Sequence, residues 1–194
     1  MKKAFILILF VAGILTSASA QVMHGPVAGV NFANVAGDDA KDNSMITGFH
    51  AGWFVNFRLA EKITLQPQAT FSVKGTDFDL GDKTLPLKFY YIEVPVLARY
   101  HFGNGLHFDL GPYAAFLMSA TLDGNSEFNN EKISDGYKST DFGGVAGVGY
   151  ELSNGLGFLL SYHLGLSNIA DYEDGDLTNN SIGLSVSYTF GAKE

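Results

Sequence analysis

The sequence predicts an all-β fold, an eight-stranded antiparallel up-and-down transmembrane β-barrel. Eight stretches alternate large apolar residues with small or polar ones, which is the two-residue period of a strand whose faces meet different surroundings. The gaps between these stretches alternate strictly between long and short, as the extracellular loops and periplasmic turns of outer-membrane barrels do. The N-terminus has the pattern of an export signal, which agrees with an envelope location.

Residues 1–20 have the three parts of a secretory signal peptide. Met1-Lys2-Lys3 is basic, residues 4–15 are apolar, and Ala18-Ser19-Ala20 is a small-residue cleavage site. A transmembrane helix is disfavoured because the apolar run is shorter than the ~20 residues that a bilayer requires. We therefore expect residues 21–194 to form one barrel domain. The chain contains no cysteine, which excludes disulfides, cysteine-based metal sites and a lipid-modified cysteine.

The alternation predicts strands β1 to β8 at residues 27–34, 47–59, 63–74, 87–102, 106–120, 139–152, 156–168 and 181–190. The last of these shows the pattern clearly. Apolar residues fill the even positions from Ile182 to Phe190, and each odd position between them is glycine, serine or threonine. Such a strand separates an apolar wall from a crowded interior.

Three connections are tight turns, at residues 60–62, 103–105 and 153–155. The last two contain the Asn-Gly pair, which supplies the positive φ of hairpin turns. The other four connections, at residues 36–46, 75–86, 121–138 and 169–180, are long and polar. We therefore place the turns and both termini on the periplasmic side and the long loops outside the cell.

Alternation alone does not distinguish a membrane barrel from a soluble lipocalin-like barrel, but side-chain volume does. The apolar face of β2 includes Phe49, Trp53 and Phe57. Eight such faces would overfill a lumen that eight strands make only just wide enough for side chains. The opposite face is rich in glycine and poor in charge, which would make a poor water-facing surface. The apolar face is therefore predicted to contact lipid.

Large residues from half of the strands are expected to fill the lumen. Phe54, Tyr91, Leu97, Tyr113 and Leu117 alternate inward, whereas β6 to β8 present mainly small inward residues. Large side chains on one half of the wall can occupy the space that small ones leave on the other. This pattern predicts a plugged barrel and disfavours an open porin.

The predicted inward face carries four basic and four acidic residues, namely Arg58, Lys74, Lys88, Glu93, Arg99, Asp109, Asp141 and Glu151. A narrow lumen has to pair such charges. Counting from the turn at residues 103–105 places Arg99 opposite Asp109, with Cβ atoms ~5 Å apart. We predict a lumen ion pair there. A proton or ion relay is the alternative.

Chemical motifs are scarce. His101 falls opposite His107 beside Asp109, a set that suits zinc or nickel, but the neighbouring Arg99 argues against a cation. The sequence contains no G-x-S-x-G, P-loop or HExxH motif. We predict no catalytic residue, no metal and no cofactor. A lipid-modifying enzyme at the outer rim is an alternative, although the four long loops contain no histidine.

Three prolines are expected to weaken the sheet at one height. Pro67, Pro95 and Pro112 fall side by side on β3, β4 and β5 when counted from the turns. Proline removes a ladder donor, and a closed barrel has no edge on which to place it. We expect a bulge or a weakened ladder at this belt.

Several motifs together resemble the PorT-like outer-membrane β-barrel family: Gly48-Phe49-His50-Ala51-Gly52, Phe71-Ser72-Val73-Lys74-Gly75, Tyr91-Ile92-Glu93-Val94-Pro95-Val96-Leu97, Gly111-Pro112-Tyr113 and Gly165-Leu166-Ser167-Asn168-Ile169. The resemblance covers essentially the whole predicted mature chain. It implies an eight-stranded barrel of a Gram-negative outer membrane. Since the family's best-known member works in protein secretion, it also implies, as an alternative role, a subunit of an envelope-assembly or protein-secretion machine.

The four long loops are acidic. They contain fourteen acidic and four basic residues, a net charge of −10. The last loop carries Asp171, Glu173, Asp174 and Asp176 and no basic residue. Beyond outer-membrane lipid and lipopolysaccharide, such loops suit divalent cations or a basic protein surface, and they do not suit nucleic acid. We expect a structural or loop-mediated interaction role at the cell surface.

The mature protein is predicted to begin at Gln21 and to fractionate with the outer membrane. The short apolar run followed by Ala18-Ser19-Ala20 is read by signal peptidase and cannot span the bilayer. N-terminal sequencing of protein from purified outer membranes measures this directly. Retention of Met1 would contradict the prediction.

Overall fold

The computed structural model describes residues 22–37, 43–79, 84–122, 131–132, 136–172 and 176–191. Its eight long strands are β1 (Val22–Ala36), β2 (Asn43–Ala60), β3 (Ile63–Asp79), β4 (Thr84–His101), β5 (Leu106–Leu122), β6 (Thr140–Glu151), β7 (Leu156–Gly165) and β8 (Thr178–Tyr188). A two-residue strand, Glu131–Lys132, pairs with the outer end of β5. The predicted signal peptide lies outside the described residues. Among those residues, no helix has the length and apolar character of a membrane span.

The sheet closes on itself. Each long strand pairs antiparallel with its neighbours in sequence, and β8 pairs with β1 from Val27↔Ser187 to Ala36↔Thr178. Closure pairs every long strand on both sides, which satisfies the backbone groups that a bilayer cannot hydrate. The predicted fold class, a closed eight-stranded antiparallel barrel, is therefore confirmed.

Six of the eight long strands extend past their predicted outer ends, whereas β6 and β7 stop short of theirs. β2 and β4 have 18 residues and β3 and β5 have 17, whereas a membrane-spanning strand needs about 9–11. The tight turns set the periplasmic ends, so the excess projects outward. The predicted loop at residues 75–86 begins as strand, with Asp77 paired to Pro86. Apolar and polar residues no longer alternate there because both faces of the strand lie outside the membrane, although the backbone ladder continues.

The apolar face points outward, as the volume argument predicted. Phe49, Trp53 and Leu160 expose 52%, 47% and 53% of their surfaces, while the inward Phe54 and Tyr91 expose 1% and 0%. A wall with this exposure contacts lipid, because a water-facing surface would not carry continuous large apolar side chains.

Aromatic pairs mark the two ends of this wall. On the turn side, Tyr100 meets Phe102 edge-on at 5.2 Å between ring centroids, and Tyr188 meets Phe190 at 5.0 Å. Toward the outer side, Phe49 lies 5.8 Å from Phe71. The aromatic rings of tyrosine and phenylalanine favour the interfacial regions of a bilayer. These pairs therefore bracket the membrane-spanning part of the barrel.

The proline belt interrupts the ladder without shifting it. Between β3 and β4 the paired residues stop at Pro67↔Val96 and resume at Thr70↔Glu93 in the same register. Between β4 and β5, pairing likewise stops at Pro95 and resumes at Ala98. The belt is thus a weakened ladder, because proline has no N–H to donate.

Candidate functional site

Large rings fill the lumen by lying over glycines on the next strand. Tyr113 is the register partner of Gly143, and His107 is that of Gly149. A Cβ atom at Gly143 would lie 2.5 Å from the Tyr113 ring, and one at Gly149 would collide with the His107 ring. Each glycine therefore provides the space for the ring opposite it, and both rings lie buried in the lumen.

The ion pair closest to the turns joins Arg99 and Asp109. The Arg99 Nε donates to Asp109 Oδ1 at 2.9 Å and its Nη2 donates to Oδ2 at 2.8 Å, a bidentate arrangement. His107 Nδ1 lies 2.8 Å from the same Oδ1, and Glu151 Oε2 lies 3.6 Å from Arg99 Nη1. Arg99 and Asp109 expose only 6% and 0% of their surfaces, so the pair is largely shielded from water.

A second ion pair lies deeper, between Lys74 and Glu93. The His163 Nδ1 is 3.0 Å from the other Glu93 oxygen, and the Lys74 ammonium lies 4.4 Å from the centre of the Tyr113 ring. Both charges of the pair are buried. The sequence predicted them as lumen charges but did not pair them, because the ladder partner of Lys74 is Phe89. The long lysine side chain reaches along the lumen instead of across the ladder.

A small cavity of about 30 Å³ lies beside this pair. His50 lines it, with Nδ1 2.8 Å from Asn31 Oδ1 and Nε2 2.8 Å from Ser185 Oγ. A polar void of this size holds about one water molecule. The middle of the lumen is therefore filled by hydrogen-bonded side chains.

Asp141 is buried and, among the described residues, accepts its hydrogen bonds from neutral side chains. The Tyr113 hydroxyl donates to its Oδ2 at 3.2 Å, Asn179 Nδ2 donates to the same oxygen at 3.1 Å, and the Ser167 hydroxyl donates to Oδ1 at 2.9 Å. Asp141 exposes 0% of its surface. Neutral donors thus satisfy this carboxylate. The sequence predicted Asp141 as a lumen charge but did not predict its partners.

Two of the predicted lumen charges lie outside the buried interior. Lys88 was assigned to the inward face, and this assignment is wrong. The buried residues of β4 are the odd-numbered ones from Leu87 to Arg99, which leaves Lys88 half-buried on the outer wall within electrostatic range of Asp77. Arg58 faces inward but lies exposed at the periplasmic mouth, where its Nη2 donates to the Glu61 carbonyl oxygen at 2.9 Å.

A lid of loop residues closes the outer mouth. Ile169, Ala170 and Leu177 come from the predicted loop at residues 169–180, and all three are buried. Tyr137 packs edge-on against Phe89, with ring centroids 4.7 Å apart. Burial raises the pKa of the Tyr137 phenol, and the nearby Tyr172 raises it further, so this side chain stays protonated at ordinary pH.

Backbone hydrogen bonds join the two loops that form this lid. Lys138 N donates to Ile169 O at 2.8 Å, and Asp171 N donates to Gly136 O at 3.1 Å. Of the four predicted acidic tips, Asp171 and Asp176 are exposed, whereas Glu173 and Asp174 lie outside the described residues. The loops are thus partly core at their base and acidic at their surface.

The opposite end of the barrel is open. A cavity of about 330 Å³ lies among the short turns. We call it the periplasmic vestibule, and its polar lining includes Asn56, Arg58, Lys62, Thr64, His101 and Glu151. The lumen is therefore capped by apolar residues outside and hydrophilic on the periplasmic side.

The histidines at this end make hydrogen bonds to lumen side chains. The rings of His101 and His107 are 6.2 Å apart, and His101 Nε2 is 2.9 Å from the Thr64 hydroxyl. Asp109 is held by Arg99 and His107. Within the described residues, no group of three or more His, Asp or Glu side chains is arranged to hold a metal ion.

Arg99→Ala is expected to destabilise the barrel by about 3–5 kcal/mol, because it leaves the buried Asp109 carboxylate without its cation. Urea unfolding of the refolded barrel measures the loss. Arg58→Ala, which removes an exposed arginine of the same mouth, should change stability little. The double variant Arg99→Ala/Asp109→Ala should cost less than the sum of the single variants, and additive losses would contradict the pairing.

Comparisons with known proteins agree with this architecture. The chain matches the family model described as "Outer membrane protein beta-barrel domain" over residues 18–171. The fold is similar to Neisserial surface protein A, with TM-score 0.55, 11% identity, and coverage of 86% of this chain and 95% of that one.

It is also similar to Ail, the attachment invasion locus protein of Yersinia pestis, solved with the heparin analogue sucrose octasulfate. That TM-score is 0.55 at 15% identity, covering 88% of this chain and 99% of that one. No curated protein matches the sequence. Because the family model spans well over half of the chain, the protein belongs to the outer membrane protein beta-barrel domain family of the bacterial outer membrane.

Proposed function

We propose that the protein is a structural outer-membrane barrel whose outer loops mediate interactions at the cell surface, without a pore and without catalysis. The closed lumen is the observation that carries this proposal. Lid residues such as Ile169 and Leu177 are buried at the outer mouth, and the Lys74–Glu93 pair lies beneath them. The surface available from outside the cell is therefore the exterior of the loops.

The charge of the loops favours cationic partners. Their net charge is −10, and the exposed Asp171 and Asp176 belong to the most acidic loop. Ail was solved with a sulfated, polyanionic ligand, but acidic loops of this density repel such a ligand. Divalent cations that bridge to lipopolysaccharide and basic protein surfaces are the partners that this charge attracts.

Among the described residues of the outer rim, Ser167 donates a hydrogen bond to the Asp141 carboxylate. Asp141 is fully buried and also held by Tyr113 and Asn179. The four long loops contain no histidine that could activate the serine. This arrangement favours a non-enzymatic role over a lipid-modifying enzyme.

A subunit of a secretion or envelope-assembly machine is the second candidate. The motifs that resemble the PorT-like family support it, and so does the polar vestibule that opens toward the periplasm. Export through the predicted signal peptide is common to both candidates. In the first candidate the partner binds at the outer loops, whereas in the second it binds at the periplasmic end of the barrel.

The purified barrel is expected to show no steady conductance in a planar bilayer, because ions need a continuous water path and side chains close it. The Tyr137→Ala variant, which removes a ring from the lid, should also show no conductance because the Lys74–Glu93 layer remains. A stable ion-selective current through either protein would move the function into the lumen.

Neutralising the acidic tips should weaken cation binding. We expect Asp171→Asn/Glu173→Gln/Asp174→Asn/Asp176→Asn to bind Ca²⁺ and a lysine-rich peptide at least about tenfold more weakly at low salt, with the difference shrinking as salt screens the charges. Calorimetric titration of the folded barrel measures both. These substitutions spare the buried Ile169 and Leu177, so the lid is retained.

Glu61→Gln is the control, because Glu61 is an exposed acid of a periplasmic turn. Its binding should equal that of the unmodified protein. Binding that survives loop neutralisation would contradict a loop-mediated role and favour the second candidate.

A further inference from the structure

Two periplasmic turns contain the same Asn-Gly dipeptide. Asn104-Gly105 lies between β4 and β5, and Asn154-Gly155 lies between β6 and β7. In each turn the asparagine is exposed, and its Oδ1 accepts a hydrogen bond at 3.1 Å from the backbone N–H two residues further on. The two turns therefore allow the chemistry of one dipeptide to be compared in two surroundings.

An asparagine followed by glycine can deamidate through its own backbone. The glycine nitrogen attacks the side-chain carbonyl carbon, Cγ, and loses its proton to base. The new N–Cγ bond closes a succinimide ring, the bond from Cγ to the side-chain nitrogen breaks, and ammonia leaves. Water then opens the ring at either carbonyl and gives aspartate or isoaspartate. Glycine favours the attack because it has no Cβ to restrict its backbone.

The two turns are held alike on the carbonyl side of their glycines. Glu151 N donates to the Gly105 carbonyl at 2.8 Å, and Thr189 N donates to the Gly155 carbonyl at 2.9 Å. Each turn is thus fixed to the strand beside it by one backbone hydrogen bond. A difference in reactivity has to come from the other side of the glycine, where the attacking nitrogen lies.

The attacking nitrogen is engaged in the second turn only. The N–H of Gly155 donates to the Leu152 carbonyl at 3.0 Å, and Gly155 is buried. Gly105 is half-buried, and its N–H makes no hydrogen bond within the described part of the chain. A buried, hydrogen-bonded N–H resists both deprotonation and reorientation, because each step breaks the bond. The reaction is therefore favoured at Asn104.

The first turn also leaves room for the asparagine side chain to rotate. Gly103 precedes Asn104 with a φ of 93°. Apart from its chain neighbours, no described atom lies within 4 Å of the place where a Cβ of Gly103 would be. A glycine in open space restricts the next residue little, so the Asn104 side chain can turn toward the Gly105 nitrogen.

We propose that Asn104 is a modification site, at which deamidation places aspartate or isoaspartate at the periplasmic mouth of the barrel. Gly103 and Gly105 line the vestibule, together with two basic and two acidic residues, Arg58, Lys62, Glu61 and Glu151. The new carboxylate shifts this balanced rim toward negative charge. Isoaspartate also adds one backbone atom to the turn that the hydrogen bond from Phe102 N to Leu106 O closes. The site is separate from the outer loops and stands independently of their proposed role.

The test incubates the mature barrel in detergent micelles for several days, at neutral and at mildly alkaline pH. Mass spectrometry of digested samples, with fragmentation that assigns each asparagine, measures both rates. Asn104 should convert severalfold faster than Asn154, and faster at the higher pH because base removes the Gly105 proton. Incubation in heavy-oxygen water marks the carboxylates that form during the experiment. Equal rates at the two asparagines, or no conversion at Asn104, would overturn the proposal.

The urea-unfolded protein is the control for the structural cause. Unfolding removes the hydrogen bond of the Gly155 N–H and exposes both turns, so the two asparagines should then react at similar rates. A preference for Asn104 that persists unchanged in urea would refute the protection of Gly155 on which the choice of site depends.

A variant tests the site in the intact barrel. Deamidation adds a negative charge, so a more acidic form should accumulate on ion-exchange chromatography of the folded protein. Asn104→Gln should largely prevent this, because glutamine has to close a less favourable six-membered ring. Asn104 is exposed in a turn, so the substitution keeps the fold. Accumulation of the acidic form at an unchanged rate in this variant would contradict the assignment.

Discussion

The narrow lumen of an eight-stranded barrel is the constraint on which the rest of the structure depends. Backbone closure sets its width, so the inward side chains have to match one another in volume and in charge. Tyr113 and His107 fit because Gly143 and Gly149 lie opposite them. Two ion pairs, Arg99–Asp109 and Lys74–Glu93, balance charge within the lumen, and neutral donors satisfy the buried Asp141.

The two ends of the barrel meet this constraint differently. At the outer end the wall projects past the membrane, and the loops fold back so that Ile169 and Leu177 become core residues. At the inner end the turns are too short to cover the mouth, and polar residues such as Thr64 and Asn56 form its floor. The lumen is therefore sealed toward the environment and accessible from the periplasm, which separates a surface role of the loops from any ligand of the vestibule.

Local chemistry explains which parts of the interior could be predicted. The position of Arg99 opposite Asp109 follows from the number of residues on each side of a tight turn. An antiparallel ladder keeps its register where no bulge intervenes. The Lys74–Glu93 pair does not follow from any such count, since its residues are four ladder positions apart. Lys88 was misassigned because near the outer rim the surrounding side chains no longer show which face is apolar.

The sequence by itself determined the strand number, the turns, the lipid-facing surface and the family-level fold. Each of these depends on a two-residue period or on a short turn motif, which are local properties. Only the tertiary structure decided how the lumen is filled, that the outer loops form a lid, and that Asn56 and Arg58 line an open vestibule. These features depend on which side chains meet across a closed barrel, and residues far apart in sequence become neighbours only once the last strand pairs with the first.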